Sequence, residues 1–160
     1  MSEPAGATDL IRLKVRAVLP DSNTDTQIVL LQDERETEVL PIWVGMAEGN
    51  AIKFALEGLA PQRPLTHDLI KNFTEHLSVK VTQAVVADVK NNTYFAQVYL
   101  LVHGVEQTLD ARPSDAIALA LRSNSPIYAT QAVLEQRGGG NLGAWMERFG
   151  AKDMGKAETS

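Results

Sequence analysis

Leu109-Asp110-Ala111-Arg112-Pro113-Ser114-Asp115-Ala116-Ile117-Ala118-Leu119-Ala120-Leu121-Arg122 runs from a strand into a helix with hardly a residue between them. Alternation over Val105–Ala111 predicts the strand. Pro113 breaks it, and Ser114 and Asp115 are residue types that start helices. Ala116–Leu121 is apolar on every side, so the helix over Ala116–Arg122 is expected to be buried rather than amphipathic. Its alanines let neighbouring elements come close. Three charges, Asp110, Arg112 and Asp115, crowd the mouth of this helix. They cost desolvation energy unless they are paired or used.

Outward from this segment the pattern is regular. Ile11, Leu13, Val15 and Ala17 alternate with Arg12, Lys14 and Arg16, a half-buried strand. After a Pro20–Asn23 turn, Thr26–Gln32 and Glu38–Val44 read as strands around a turn at Asp33–Glu36. Gly45 ends the third strand, and Ala47–Gly58 reads as a helix with Ala51, Ile52, Ala55 and Leu56 on one face. Leu59–Pro64 is a proline-bearing linker. Thr66 is the expected N-cap of a helix to about Leu77, with Asp68 in its first turn. Val79–Val89, Tyr94–Val102 and Val105–Ala111 are strands joined by turns at Asn91-Asn92 and His103-Gly104. A short strand, Pro126–Ala129, and a helix capped by Thr130 and stopped at Gly138–Gly140 complete the pass.

This order lacks the strict alternation of a doubly wound fold, so the expected class is α+β, with a twisted, largely antiparallel sheet and packed helices. Asn50–Leu56 echoes Asp115–Leu121 at equivalent places, after the third strand of each half. Either a three-strand-plus-helix unit is duplicated, or two buried helices share an Ala/Ile/Leu vocabulary. The expected domain spans residues 9–137. Residues 1–8 read as a disordered tail and 138–160 as a glycine-linked tail. In that tail Leu142, Trp145, Met146 and Phe149 share one helical face, as a docking helix or a frayed end.

A chain of 160 residues suits one domain and buries roughly 70% of its unfolded surface. The absence of cysteine excludes disulfides, thiolate metal sites and thiol nucleophiles. No apolar run approaches the ~20 residues of a membrane span. The N-terminus lacks the basic and apolar regions of a signal peptide, so a cytoplasmic location is expected. The net charge of −5 argues against a generally basic nucleic-acid binder, leaving only a local basic patch for that role.

Familiar catalytic devices are missing from the sequence: no glycine-rich phosphate loop, H-E-x-x-H or G-x-S-x-G occurs. His67, His76 and His103 lack metal-ligand spacing. Asp88-Val89-Lys90 matches the D-x-K end of a nuclease motif, but a salt bridge on a hairpin is the stronger reading of so common a tripeptide. Two clusters remain, Arg63-Pro64-Leu65-Thr66-His67-Asp68 and Asp110-Ala111-Arg112-Pro113-Ser114-Asp115. A helix N-terminus with a nearby arginine makes a phosphate cradle, for which Arg63, Arg112 and Ser114 are the candidates. Carboxylates brought together hold magnesium or manganese, with Asp110, Asp115, Asp68 and Glu48 as candidate ligands. Such an ion activates water against a phosphodiester. An imidazole such as His67 suits proton transfer near neutral pH. The structural alternative stays open: Asp68 and Asp115 satisfy helix dipoles, and Arg112 pairs with Asp110 or Asp115. Asn50 extends the set. Trp43 is expected in the core, with base stacking as the lesser alternative.

Leu40–Gly45, Arg63–Leu69 and Asp110–Arg122, with Pro126-Ile127-Tyr128 after them, together resemble the bifunctional nuclease family of bacteria and plants. The resemblance covers about Ile11–Arg137. It implies an α+β domain that pairs into a wedge-shaped homodimer. It also implies hydrolysis of both DNA and RNA, without an organic cofactor. Carried over by position, Glu48, His67, Asp68, Asp110, Arg112 and Asp115 would line a groove at the dimer. On the nuclease reading Asp110, Asp115 and Asp68 hold the metal, His67 is general acid or base, and Arg112 stabilises the phosphorane. Gly49 stands where the family commonly has alanine, which is expected to weaken its helix by about 0.5–1 kcal/mol. Bacterial members often continue into a further C-terminal module; here only the glycine-linked Leu142–Phe149 segment follows, so a function carried by that module is not expected. The alternative function is a non-catalytic dimeric module for an anionic ligand or a protein partner.

Overall fold

The computed structural model describes residues 9–136; the two tails, including the expected Leu142–Phe149 helix, lie outside the described residues. In chain order the elements are β1 (Leu10–Pro20), β2 (Thr26–Asp33), β3 (Val39–Gly45), α1 (Met46–Leu56) and α2 (Thr66–His76). There follow β4 (Val79–Lys90), β5 (Thr93–Val102), β6 (Val105–Ala111), α3 (Pro113–Arg122), β7 (Ile127–Thr130) and α4 (Gln131–Gln136). All seven strands form one sheet in the order β3-β2-β1-β7-β4-β5-β6. Two antiparallel meanders, β1-β2-β3 and β4-β5-β6, flank β7, which runs antiparallel to β1 and parallel to β4. This is the α+β class read from the sequence. The echoed segments fall on α1 and α3, each following the third strand of its meander.

Local chemistry sets the joints. The β4–β5 and β5–β6 turns place Asn91, Asn92, His103 and Gly104 at positive φ, as tight hairpins demand. α3 begins at Pro113, three residues before the expected start. Proline at the first helical position has φ preset and needs no N–H, and Arg112 is the extended N-cap. Thr66 is likewise not the cap of α2. Leu65 is, and its backbone N–H donates to Asp68 Oδ2 at 2.9 Å. Thr130 does cap α4, its Oγ1 accepting from the Val133 N–H at 3.2 Å.

Register and alternation assign the two faces of the sheet. Val29 and Leu31 of β2, Leu40 and Ile42 of β3, Ala84 and Val86 of β4, and Ala96 and Val98 of β5 point to one side. There they form a single core with Ile52 of α1, Ala116–Ala120 of α3, and Val133 and Leu134 of α4. The apolar helix α3 is enclosed as expected, with Ala116, Ile117, Ala118 and Ala120 at 1% exposure or less. On the opposite face Leu19, Ile28, Leu30 and Val39 are also buried, but Phe95 and Leu101 of β5 are exposed.

Trp43 corrects an expectation. It is 46% exposed rather than in the core. Ile42 and Val44 take the inward positions of β3, so alternation turns Trp43 outward. Its indole N–H donates to Asp21 Oδ2 at 3.1 Å. Gly49 also has a specific reason. A Cβ there would lie 2.4 Å from Gln27 Nε2, and the buried Gln27 amide donates to Met46 O at 3.0 Å and Asn50 Oδ1 at 3.1 Å. The glycine admits a side chain that ties β2 to the first turn of α1.

Candidate active site

The first turn of α2 lies across one face of α3. His67, only 9% exposed, places Nε2 2.8 Å from Asp115 Oδ1. Asp68 accepts at Oδ1 from Arg122 Nε at 2.7 Å. Asp115, Ala118 and Arg122 share this face of α3, at steps of three and four residues. Arg122 also donates through Nη1 to Ala118 O at 3.1 Å, which fixes its guanidinium along the helix.

Arg112 is the hub at the other end. Its Nε donates to Asp115 Oδ2 at 2.8 Å and its Nη2 to Asp115 Oδ1 at 3.3 Å, a forked contact. Its Nη1 donates to Glu48 Oε2 of α1 at 3.3 Å. The side chain is 64% exposed. A guanidinium has five N–H donors, so some of those on Arg112 still face solvent.

The electrostatics favour ionised groups. Burial alone would raise the Asp115 carboxyl, but the hydrogen bonds from Arg112 and then His67 outweigh it and hold the group below its ordinary value. Asp68 is set in the same way: burial raises it, and the Leu65 N–H and Arg122 lower it further than burial lifts it. Arg112 is pushed up by the hydrogen bonds and charge of Asp115. With the Asp115 carboxylate as acceptor, Nε2 is the donating nitrogen of His67. Nδ1 makes no hydrogen bond among the described residues.

Glu48, His67, Asp68, Arg112 and Asp115 therefore gather within one subunit. The other candidates do not join them. Asp110 is paired in register with Gln97 on the exposed strand β6. Its neighbour Ala111 packs against the core, so alternation turns Asp110 to the helix-free face. Arg63 is exposed and takes part in none of these bonds, and Ser114 is buried at 5% exposure. The Asp88-Val89-Lys90 tripeptide forms a hairpin ion pair, with Lys90 Nζ 3.6 Å from Asp88 Oδ2. Arg122 was absent from the sequence candidates. The signal for it was its spacing of seven residues from Asp115, two helical turns along the same face.

The donor set does not fit a resident divalent ion. Among the described residues no three His, Asp or Glu side chains come close enough to share one. Asp115 and Glu48 are held by Arg112, and Asp68 is held by Arg122.

These features define an α+β domain with an exposed arginine, an oriented imidazole and ionised carboxylates on one surface, a set suited to a phosphate-bearing ligand. Residues 29–140 match the family model described as the bifunctional nuclease domain. An uncharacterized protein of Mycobacterium tuberculosis is 34% identical over 126 residues, covering 79% of this chain and 75% of that one. Bifunctional nuclease 1 of Oryza sativa subsp. indica is 28% identical over 123 residues, 75% of this chain and 37% of the rice protein. Bifunctional nuclease 2 of Arabidopsis thaliana is 29% identical over 116 residues, 71% of this chain and 35% of its own length. The chain belongs to the bifunctional nuclease domain family, and it spans little more than a third of those plant relatives. Among the described residues no helix is long and apolar enough to cross a membrane.

Proposed function

We propose that the domain hydrolyses phosphodiester bonds of DNA and RNA, with His67 as general acid or base and Arg112 binding the phosphate. The observation that carries this reading is the His67–Asp115–Arg112 chain. A half-buried carboxylate orients an imidazole through one nitrogen, leaving the other for proton transfer, while the same carboxylate holds a guanidinium open to solvent. Asp68 with Arg122 keeps the α2 N-terminus, and hence His67, seated on α3. On this reading those two residues position the imidazole.

The test uses nuclease-free full-length protein with His67→Ala and Asp115→Asn. Cleavage of single-stranded DNA and of RNA is expected to fall at least about a hundredfold in His67→Ala, the scale of lost general acid–base catalysis. Equal cleavage by wild type and both variants would identify a contaminant and overturn the assignment.

One observation favours the second reading, a non-catalytic module for an anionic ligand. Every carboxylate of the network already has an arginine partner, the pattern of a structural ion-pair cluster. On that reading the variants lose stability and no activity exists to lose.

We also propose that the domain works as a homodimer. Leu65, Leu69, Phe73 and Leu77 stand at four-residue spacing along α2 and are 37–59% exposed. Such a stripe is costly to leave in water and is of the kind buried between subunits. Sedimentation of wild type against Leu69→Glu/Phe73→Glu checks it. A dimer unchanged by the two glutamates would place the interface elsewhere.

A further inference from the structure

The helices α1, α3 and α4 share one core on one face of the sheet. The other face is uncovered by them, and toward β7, β4 and β5 it has a distinct chemistry. One register row crosses four strands: Arg12 of β1 opposes Tyr128 of β7, Tyr128 opposes Val85 of β4, and Val85 opposes Gln97 of β5. Residues two apart on a strand share a face, so Tyr99 and Phe95 stand on either side of Gln97. The two tyrosines are half-buried and Phe95 is 41% exposed. Lys90 Nζ sits 5.8 Å from the Phe95 ring centroid. Arg12 and Lys14 flank the rings from the β1 side, and Lys80 flanks them from the start of β4.

Aromatic side chains on an open sheet face with cations around them match the needs of a single strand of nucleic acid. Bases stack on the rings, and the cations meet the phosphates. The carboxylates of this face lie to one side, with Glu106 and Asp110 on the edge strand β6 and Asp88 paired to Lys90. A subunit contact is the less suited occupant, because interface cores are depleted of charge. The uncharged stripe of α2 serves that role better.

We propose that this helix-free face is a platform for single-stranded nucleic acid, with bases stacked on Tyr99, Tyr128 and Phe95 and phosphates held by Arg12, Lys14 and Lys80. The platform rests on the nuclease reading for its choice of ligand and supplies the local basic patch that an acidic chain needs. It also gives Asp110, stranded from the ion-pair network, a place at the border of the strand's path.

The experiment is fluorescence anisotropy of a labelled oligothymidylate with the full chain at low salt. Lys71→Gln, on α2 and outside both the catalytic network and this face, is expected to bind as wild type does. Tyr99→Ala/Tyr128→Ala is expected to bind at least about fivefold more weakly for each ring lost. Tyr99→Phe/Tyr128→Phe keeps the rings and is expected to keep the affinity. Arg12→Gln, which leaves the rings intact, is expected to lower the slope of log K against log salt by about 1. Affinity unchanged by loss of both rings overturns the platform while leaving the nuclease reading standing. So does a change in sedimentation without a change in oligonucleotide binding, which would assign the face to a second copy. Ring-dependent binding by a wild type that cleaves nothing would support the platform and fail the nuclease reading.

Discussion

Gly49→Ala should destabilise the protein, although alanine is the better helix former. Gly49 is inside α1, where the substitution would by itself gain about 0.5–1 kcal/mol. Against that gain, the new Cβ would lie 2.4 Å from Gln27 Nε2, 2.7 Å from its Cδ and 3.0 Å from its Cβ. Swinging the amide away relieves the first two contacts but not the third, which is fixed to the β2 backbone. The swing also breaks the bonds to Met46 O and Asn50 Oδ1. Gln27 is fully buried and its Oε1 already lacks a partner, so the displaced amide has nowhere to bond. An unsatisfied buried amide costs about 1–3 kcal/mol and overpacking about as much again. The net expectation is a loss of about 1–5 kcal/mol. Urea unfolding followed by tryptophan fluorescence reads it as a lower midpoint at unchanged slope. In a Gln27→Ala background the amide and its lost bonds drop out and only the 3.0 Å contact with Cβ remains, so the same substitution should cost at least about 1 kcal/mol less there than in the wild type. A stabilising Gly49→Ala in both backgrounds would refute the reasoning, because Gln27 would then not be what requires the glycine.

Other expectations follow from single contacts. Asp33 accepts from the Thr37 and Glu38 N–H groups at 3.0 Å and from Thr37 Oγ1 at 3.1 Å, so Asp33→Ala should cost about 1–3 kcal/mol in urea unfolding. Arg122→Ala strips Asp68 of its partner and should cost about 1–3 kcal/mol, while Arg122→Lys restores only part because the fork along α3 is lost. The carboxyls of Asp33, Asp68 and Asp115 are all held below their ordinary value in the fold. Their contribution is complete above the unfolded carboxylate pKa of about 3.9 and is lost as pH falls through the lower folded values. The urea midpoint should therefore be flat between about pH 5 and 7 and decline below about pH 4, less steeply in Asp68→Asn/Asp115→Asn. Magnesium or chelator should leave the melting temperature unchanged, since no three carboxylates converge. A magnesium-induced rise lost in Asp115→Asn would show that they do.

Elements with strong local signals were legible in the sequence, because alternation and turn chemistry act over a few residues. β6 lies at Val105–Ala111 as read, and the positive-φ turns fall on Asn91-Asn92 and His103-Gly104. The position of β7 was not legible. It is four residues long, and its partners β1 and β4 lie far away in sequence, so its seat between the two meanders depends on packing that no local pattern carries. Trp43 was misplaced because its neighbours Leu40, Ile42 and Val44 are apolar. The informative fact was parity: with Ile42 and Val44 inward, the residue between them must face out. Within its own segment Gly49 looks like a local weakness, because its cause, Gln27, comes from a different element, β2.

The same parity divides the segment Leu109–Arg122. Asp110, Arg112 and Asp115 look like one cluster because they are close along the chain. In the fold, Asp110 is the last outward residue of β6, and Arg112 is already the N-cap of α3 on the helix side. The sheet separates them. Arg112 instead finds Asp115, three residues ahead, and Glu48, sixty-four residues back on α1. Asp115 finds His67, which arrives on α2. The carboxylates that would have to surround a metal are thus distributed one to a helix, each against a guanidinium. That leaves the imidazole as the side chain of the network not held by a guanidinium, and it makes His67, rather than Asp110, the residue on which the proposed chemistry stands or falls.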